Sequence, residues 1–231
     1  MTTKYGIRFA VRDTRPGTCA WGNAMFDAIR GSYPNITAEN AGDDFEFFTQ
    51  LPKEYRQFLS VSNGGFVDEF RYTFLTGVPF RTEFVDTPSR DDCPVEFFGI
   101  PVSEPADESP ADLLQEMVDH EVEYFLPKGV IAIARCSQNS LVCISLREAD
   151  RGCIYYWDWY WRYEWCKPFF DERIQQALDP YPDYRAILND PAHPQYDKLM
   201  DDINYATLMP LAPNFLKWFE SCTDKRDDDE E

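Results

Sequence analysis

Two histidines among 231 residues leave little material for metal or acid–base chemistry. His120 sits in Asp119-His120-Glu121. Adjacent side chains on a helix diverge, so these three do not converge on one ion. His193 lies between prolines in Pro191-Ala192-His193-Pro194. The chain has no CxxC, GxSxG or HExxH pattern, which removes the usual zinc, serine-nucleophile and metalloprotease templates. Gly64-Gly65 is not followed by Lys-Ser/Thr and is not set between a strand and a helix, so it is no phosphate cradle. Paired acids such as Asp201-Asp202 carry no information in so acidic a chain. The expectation is a non-enzymatic protein with no metal and no cofactor.

Positive charge is also scarce: 22 Lys and Arg stand against 41 Asp and Glu, for a net charge of -19. Nucleic acids and anionic membranes require a basic footprint, so neither is expected as a partner. A basic protein is the natural complement, although an acidic balance serves solubility equally well. No apolar run approaches the roughly 20 residues of a membrane span, and MTTKYGIRFAVRD lacks the apolar stretch and cleavage site of a signal peptide. Seven cysteines is an odd number, and Cys136, Cys143 and Cys153 lie in or beside strand-like runs, where a thiol acts as a small hydrophobe. Reduced thiols fit a cytoplasmic location, and Asn35-Ile36-Thr37 is then no glycosylation acceptor.

What the chain does have is a centre between Leu126 and Trp161. Val130 to Ala134, Leu141 to Leu146 and Cys153 to Trp161 are β-branched and aromatic runs separated by polar turns, the pattern of an antiparallel meander. The first two are apolar on both faces, which requires cover on both sides of the sheet. Further strands are expected at Tyr5 to Val11, Tyr72 to Leu75 and Val95 to Ile100. Helices are expected at Trp21 to Arg30 with Gly31 as a stop, and from Pro52 with Tyr55, Phe58 and Leu59 on its buried face. That second helix should end at Asn63-Gly64-Gly65, residues that enter the left-handed region at low cost. Another should open at Ser109-Pro110-Ala111-Asp112, with Ser109 as its cap. After Trp161, prolines 180, 182, 191 and 194 divide helices at Pro168 to Leu178, Tyr184 to Leu188 and Tyr196 to Tyr205. A last helix is expected at Asn214 to Cys222.

These segments resemble a known family in their order and spacing. Leu51-Pro52-Lys53-Glu54-Tyr55-Arg56-Gln57-Phe58-Leu59 is followed by Asn63-Gly64-Gly65, Phe97-Phe98-Gly99-Ile100, the run from Leu126 to Ala134, Asn139, and Gly152-Cys153-Ile154-Tyr155-Tyr156-Trp157-Asp158. Together they resemble the SMI1/KNR4 family of the SUKH superfamily, and Leu211 to Phe219 looks like its last helix. The resemblance implies an α+β fold, a mainly antiparallel sheet packed by helices, and no catalysis. It marks Leu51, Pro52, Asn63, Gly64, Gly65, Gly152 and Trp157 as family-motif structural residues. Many bacterial members are immunity proteins that bind and neutralise a toxin, often a nuclease or deaminase; fungal members are regulatory interaction proteins. Two features depart from the pattern: Arg135-Cys136-Ser137-Gln138 stands where many members have an acidic, Gly-rich hairpin, and Arg162 to Tyr205 is long.

The domain reading is therefore an extension at 1–36, an SMI1/KNR4-like domain at 37–223 with a helical insertion at about 162–205, and a disordered acidic tail at 224–231. Trp157, Trp159 and Trp161 fall on one face of a strand, with Asp158 and Tyr160 on the other. Such residues serve a core as readily as an interface. Where exposed, Asp158, Trp159, Tyr160, Trp161, Glu164 and Trp165 form the expected partner-binding set, aimed at a basic toxin domain. A regulatory scaffold with several partners is the alternative.

Overall fold

The computed structural model describes residues 29–37, 39–40, 42, 44–67, 72–73, 94–102, 110–119, 126–136, 140–157, 167–220 and 223–224. The meander is present as β5 (Val130–Cys136), β6 (Leu141–Ser145) and β7 (Ile154–Trp157). It lies within a seven-stranded sheet that also contains β1 (Ile29–Arg30), β2 (Gly65–Val67), β4 (Pro94–Phe97) and β8 (Met209–Ala212), in the order β1-β2-β4-β5-β6-β7-β8. Every neighbouring pair is antiparallel. β3 (Tyr72–Thr73) pairs separately with β9 (Thr223–Asp224). The helices are α1 (Asp44–Gln50), α2 (Lys53–Leu59), α3 (Leu113–Asp119), α4 (Lys167–Leu178), α5 (Tyr184–Leu188), α6 (Tyr196–Ala206) and α7 (Phe215–Glu220). This is the α+β architecture expected of the sequence.

Both faces of the meander are covered, as its doubly apolar strands require. Phe97, Ala134, Val142 and Tyr156 face one another across four strands and share one side of the sheet. Over it lie α2 and α7. Phe58 packs its ring 5.1 Å from Phe97, 5.0 Å from Phe215 and 5.6 Å from Phe219, and Phe97 also meets Trp218. On the other side Arg30, Phe66, Glu96, Arg135, Leu141 and Trp157 are successive partners. There Arg135 reaches Glu116 of α3 and Tyr155 meets Tyr205 of α6.

The register shift between Ala132 and Ala134 gives β5 an extra residue, and the Phe98 N–H donates to the Ile133 carbonyl at 3.0 Å. β4 then stops, because Gly99 leaves the ladder and pairs in parallel with Asp112.

Several expectations need correction. Ile29 and Arg30, expected at the end of a helix, are strand residues paired with Val67 and Phe66. Ile29 is β-branched and buried against the sheet, an environment that outweighs a weak helical stripe. Pro52 precedes the helix rather than opening it, and its carbonyl accepts from Arg56 N–H at 3.0 Å. The same helix is capped at Ser60, so Asn63-Gly64-Gly65 lies beyond the cap and turns the chain into β2. In α3 the cap is Asp112, whose Oδ1 accepts from the Leu114 N–H at 2.8 Å; Ser109 lies outside the described residues. Asp224, expected in the tail, pairs with Tyr72. The strand expected at Tyr5 to Val11, His120, Asn139 and the remainder of the tail also lie outside the described residues.

The three helices expected after Trp161 appear with nearly their expected bounds. They carry a small core of their own, Tyr181, Ile187 and Leu199, edged by Leu178, Tyr184, Tyr196 and Ile203. Met209–Ala212 is a strand that the sequence reading missed. Pro210 interrupts a run that otherwise suits a strand, and proline is tolerated where a strand lies at an edge.

Candidate interaction surface

One group of motif residues forms a frame at the ends of β2 and β4. Asn63 is fully buried, yet its side-chain amide is satisfied: Nδ2 donates to the carbonyls of Pro34 (3.0 Å) and Ile100 (2.8 Å), and Oδ1 accepts from the Ile100 N–H at 2.8 Å. Its own carbonyl accepts from the Tyr33 N–H at 3.1 Å. Only an amide both donates and accepts in this way, so a carboxylate or an aliphatic side chain does not replace it. The two backbones come so close that a Cβ on Gly64 would lie 2.7 Å from the Gly99 nitrogen, and one on Gly99 would lie 2.5 Å from the Asn63 carbonyl oxygen. Asn63, Gly64 and Gly99 thus bind the entrance of β2 to the exit of β4.

A second group of motif residues meets at the β6–β7 turn. Gly152, at φ 89°, packs beneath Pro52, and Arg151 donates to the Gln50 carbonyl. Leu51 and Pro52 are both buried. Trp157 is 1% exposed, so its indole belongs to the core. The structure therefore joins Leu51 and Pro52 to Gly152, joins Asn63 to Gly64 and Gly65, and buries Trp157. Asp158, Trp159, Tyr160, Trp161, Glu164 and Trp165 fall outside the described residues.

Two polar clusters were not singled out by the sequence. In one, Arg135 lies between Glu96 and Glu116 at 3.0 Å from each, with its guanidinium 5.5 Å from the centre of the Phe98 ring. The second carboxylate oxygen of Glu96 accepts from the Ala111 N–H at 2.7 Å, tying the start of α3 to the sheet. Of Arg135-Cys136-Ser137-Gln138, the stretch that departs from the family's acidic hairpin, Arg135 belongs to this network, while Ser137 and Gln138 lie outside the described residues.

The other cluster centres on Asp150, in the β6–β7 turn. Its Oδ2 accepts from Tyr155 of β7 and Tyr205 of α6, each at 2.5 Å, and its Oδ1 accepts from Ser145 at 2.7 Å. Burial pushes the carboxyl upward, but the three hydroxyls and the nearby Arg147 outweigh it and hold the carboxyl below its ordinary value. Burial, followed by the hydrogen bond to Asp150, pushes the Tyr155 phenol upward and keeps it protonated as a donor. Arg147 stacks its guanidinium 4.3 Å from the centre of the Tyr205 ring and reaches Asp201 at 3.5 Å. Burial also raises the Cys143 thiol and leaves it a poor nucleophile. Among the described residues, no three His, Cys, Asp or Glu side chains gather as metal ligands, and no helix is long and apolar enough to cross a membrane.

Against known proteins, the model of the SMI1 / KNR4 family (SUKH-1) matches residues 46–177, more than half of the chain. The chain belongs to the SMI1/KNR4 family. No curated protein and no solved structure matches it. The matched span of this SMI1/KNR4 protein runs from α1 into α4. It omits β8 and α7, yet α7 supplies Phe215, Trp218 and Phe219 to the same core. The signal for Asp150 was weak because a single acid in a turn looks like any other in a chain with 41 of them. Only the fold brings Tyr205 to it across 55 positions.

Proposed function

We propose that this protein is a non-enzymatic binding module, an immunity protein that neutralises a basic toxin domain. Membership of the SMI1/KNR4 family carries the reading, since immunity proteins are among its members. The net charge of -19 supports it, because a surface of one sign attracts a partner of the other and raises the association rate. In this reading Asp158 and Glu164 contribute to the acidic surface, while Trp159, Tyr160, Trp161 and Trp165 supply aromatic anchors that slow dissociation.

The test is co-expression with basic toxin domains encoded beside this gene, followed by binding kinetics against salt. The expected result is rescue of growth by one of them and an association rate that falls steeply as salt screens charges beyond about 8 Å. Trp161→Ala and Trp165→Ala should accelerate dissociation about 30-fold where the side chain is a hot spot worth about 2 kcal/mol. Failure of every neighbouring toxin, or an association rate indifferent to salt, would reject this mechanism and favour a regulatory scaffold.

A further inference from the structure

The helical unit α4–α6 is attached to the sheet in a different way from the other helices. α2 and α7 bury aromatic side chains in the main core, so removing them opens that core. In contrast, Tyr181, Ile187 and Leu199 form a cluster separate from it among the described residues. Among the described residues, the contacts that join this unit to the sheet are mainly polar. Asp201 Oδ1 accepts from the Lys128 N–H at 2.6 Å, Arg147 reaches Asp201 Oδ2, and Arg173 of α4 donates to the Leu208 carbonyl at the start of β8. Among the described residues of this unit, Tyr205 adds a ring at the margin of the main core, and its hydroxyl ends on Asp150.

We propose that α4–α6 is a cap docked on β6 and β7 through an Asp150-centred lock, and that it undocks as a unit while the seven-stranded sheet stays folded. The lock has one acceptor and several donors. Ser145 from β6, Tyr155 from β7 and Tyr205 from α6 all donate to the Asp150 carboxylate, and Arg147 from the same turn faces it. Arg173 from α4 faces both phenols. Asp150 thus fixes the orientation of Tyr205, while Arg147, stacked on that ring, holds Asp201. Loss of the carboxylate removes its bonds to both phenols at once, leaving between them their own hydroxyl contact at 3.0 Å. Because the unit keeps its own apolar cluster, undocking exposes polar groups and the Tyr155–Tyr205 contact rather than the aromatic core. The helices leave the sheet about Thr207, which ends α6 and leads directly into β8.

Hydrogen exchange of the full chain at neutral pH and low urea tests this. In the wild type, amides of 184–188 and 196–206 should exchange through an opening with a smaller urea dependence than amides of 130–136 and 141–145, since less surface is exposed. In Asp150→Ala the helical amides should exchange about ten- to hundredfold faster, the range expected when hydrogen bonds to a charged group are lost, with the strand amides unchanged. Tyr205→Phe, a milder change that keeps the ring under Arg147, should act in the same direction and more weakly. One common urea dependence for helices and strands in the wild type, or equal acceleration of both in the variants, would overturn the proposal.

Discussion

Gly64 offers the sharpest test of the frame because Gly42 provides an internal control. Both have positive φ, +75° and +52°. An L-residue held in the left-handed region costs roughly 1–2 kcal/mol, so Gly42→Ala should cost about that and no more, since among the described residues nothing lies within 4 Å of its added Cβ. Gly64→Ala has the same strain, and its Cβ would also fall 2.7, 2.8 and 2.9 Å from Gly99 N, Gly99 Cα and the Phe97 carbonyl. These are backbone atoms inside a sheet, and none swings away like the end of a flexible side chain. Overpacking of this kind costs roughly 1–3 kcal/mol more, giving about 2–5 kcal/mol in total. For a chain of this size each kcal/mol moves the midpoint by about 2–4 °C. Thermal and urea unfolding of the two variants against wild type are the assays. The expected order is wild type, Gly42→Ala, then Gly64→Ala well below both. A Gly64→Ala midpoint level with that of Gly42→Ala would refute the claim that close approach to Gly99, rather than φ alone, requires glycine here.

Two further outcomes follow. The Tyr55 hydroxyl is fully buried with no hydrogen-bond partner among the described residues, and burial raises its pKa, so Tyr55→Phe should leave stability unchanged or raise it by about 1 kcal/mol, read as a higher urea midpoint; a loss of more than about 1 kcal/mol would show that the hydroxyl has a favourable contact. Asp150 has a folded pKa below its ordinary 3.8, so its contribution to stability is present above that value and lost as pH falls through the folded pKa. Between pH 5 and 2 the wild type should therefore lose urea stability more steeply than Asp150→Asn, and parallel curves would contradict the assignment.

The helices after Trp161 were legible because prolines at 180, 182, 191 and 194 mark their limits and each is stabilised by local pattern. The meander was legible for a related reason: three dense β-branched and aromatic runs in close succession pair with one another. β1 and β8 were not, because neither carries a period of its own. Ile29 and Arg30 are strand residues only because Val67 and Phe66 lie opposite, and Met209 to Ala212 only because β7 offers Ile154, Tyr155 and Tyr156. The Asn63 frame was half legible. The glycines signalled a turn, but their closeness to Gly99, 35 positions along the chain, belongs to tertiary structure, and so the turn was assigned to a helix end.

The same distinction bears on how the long segment after Trp161 is accommodated. A polar elaboration laid on an open apolar sheet face would leave that face wet, whereas one sharing the aromatic core would make core and elaboration unfold together. The structure takes neither course. β8 pairs along β7, α3 and α6 contact the face opposite α2 and α7, and Leu178, Tyr181, Tyr184, Ile187, Tyr196, Leu199 and Ile203 of the helical unit pack on one another. Among the described residues, what joins cap and sheet is a junction of two carboxylates, Asp150 and Asp201, two phenols and two arginines. Hydrogen bonds of this kind depend on direction and are lost within a few tenths of an ångström, while apolar contact is roughly proportional to area and insensitive to angle. A directional junction fixes one docked orientation through hydrogen bonds rather than through the shared aromatic core, and Asp150, where three hydroxyls meet, is the residue whose loss should release it.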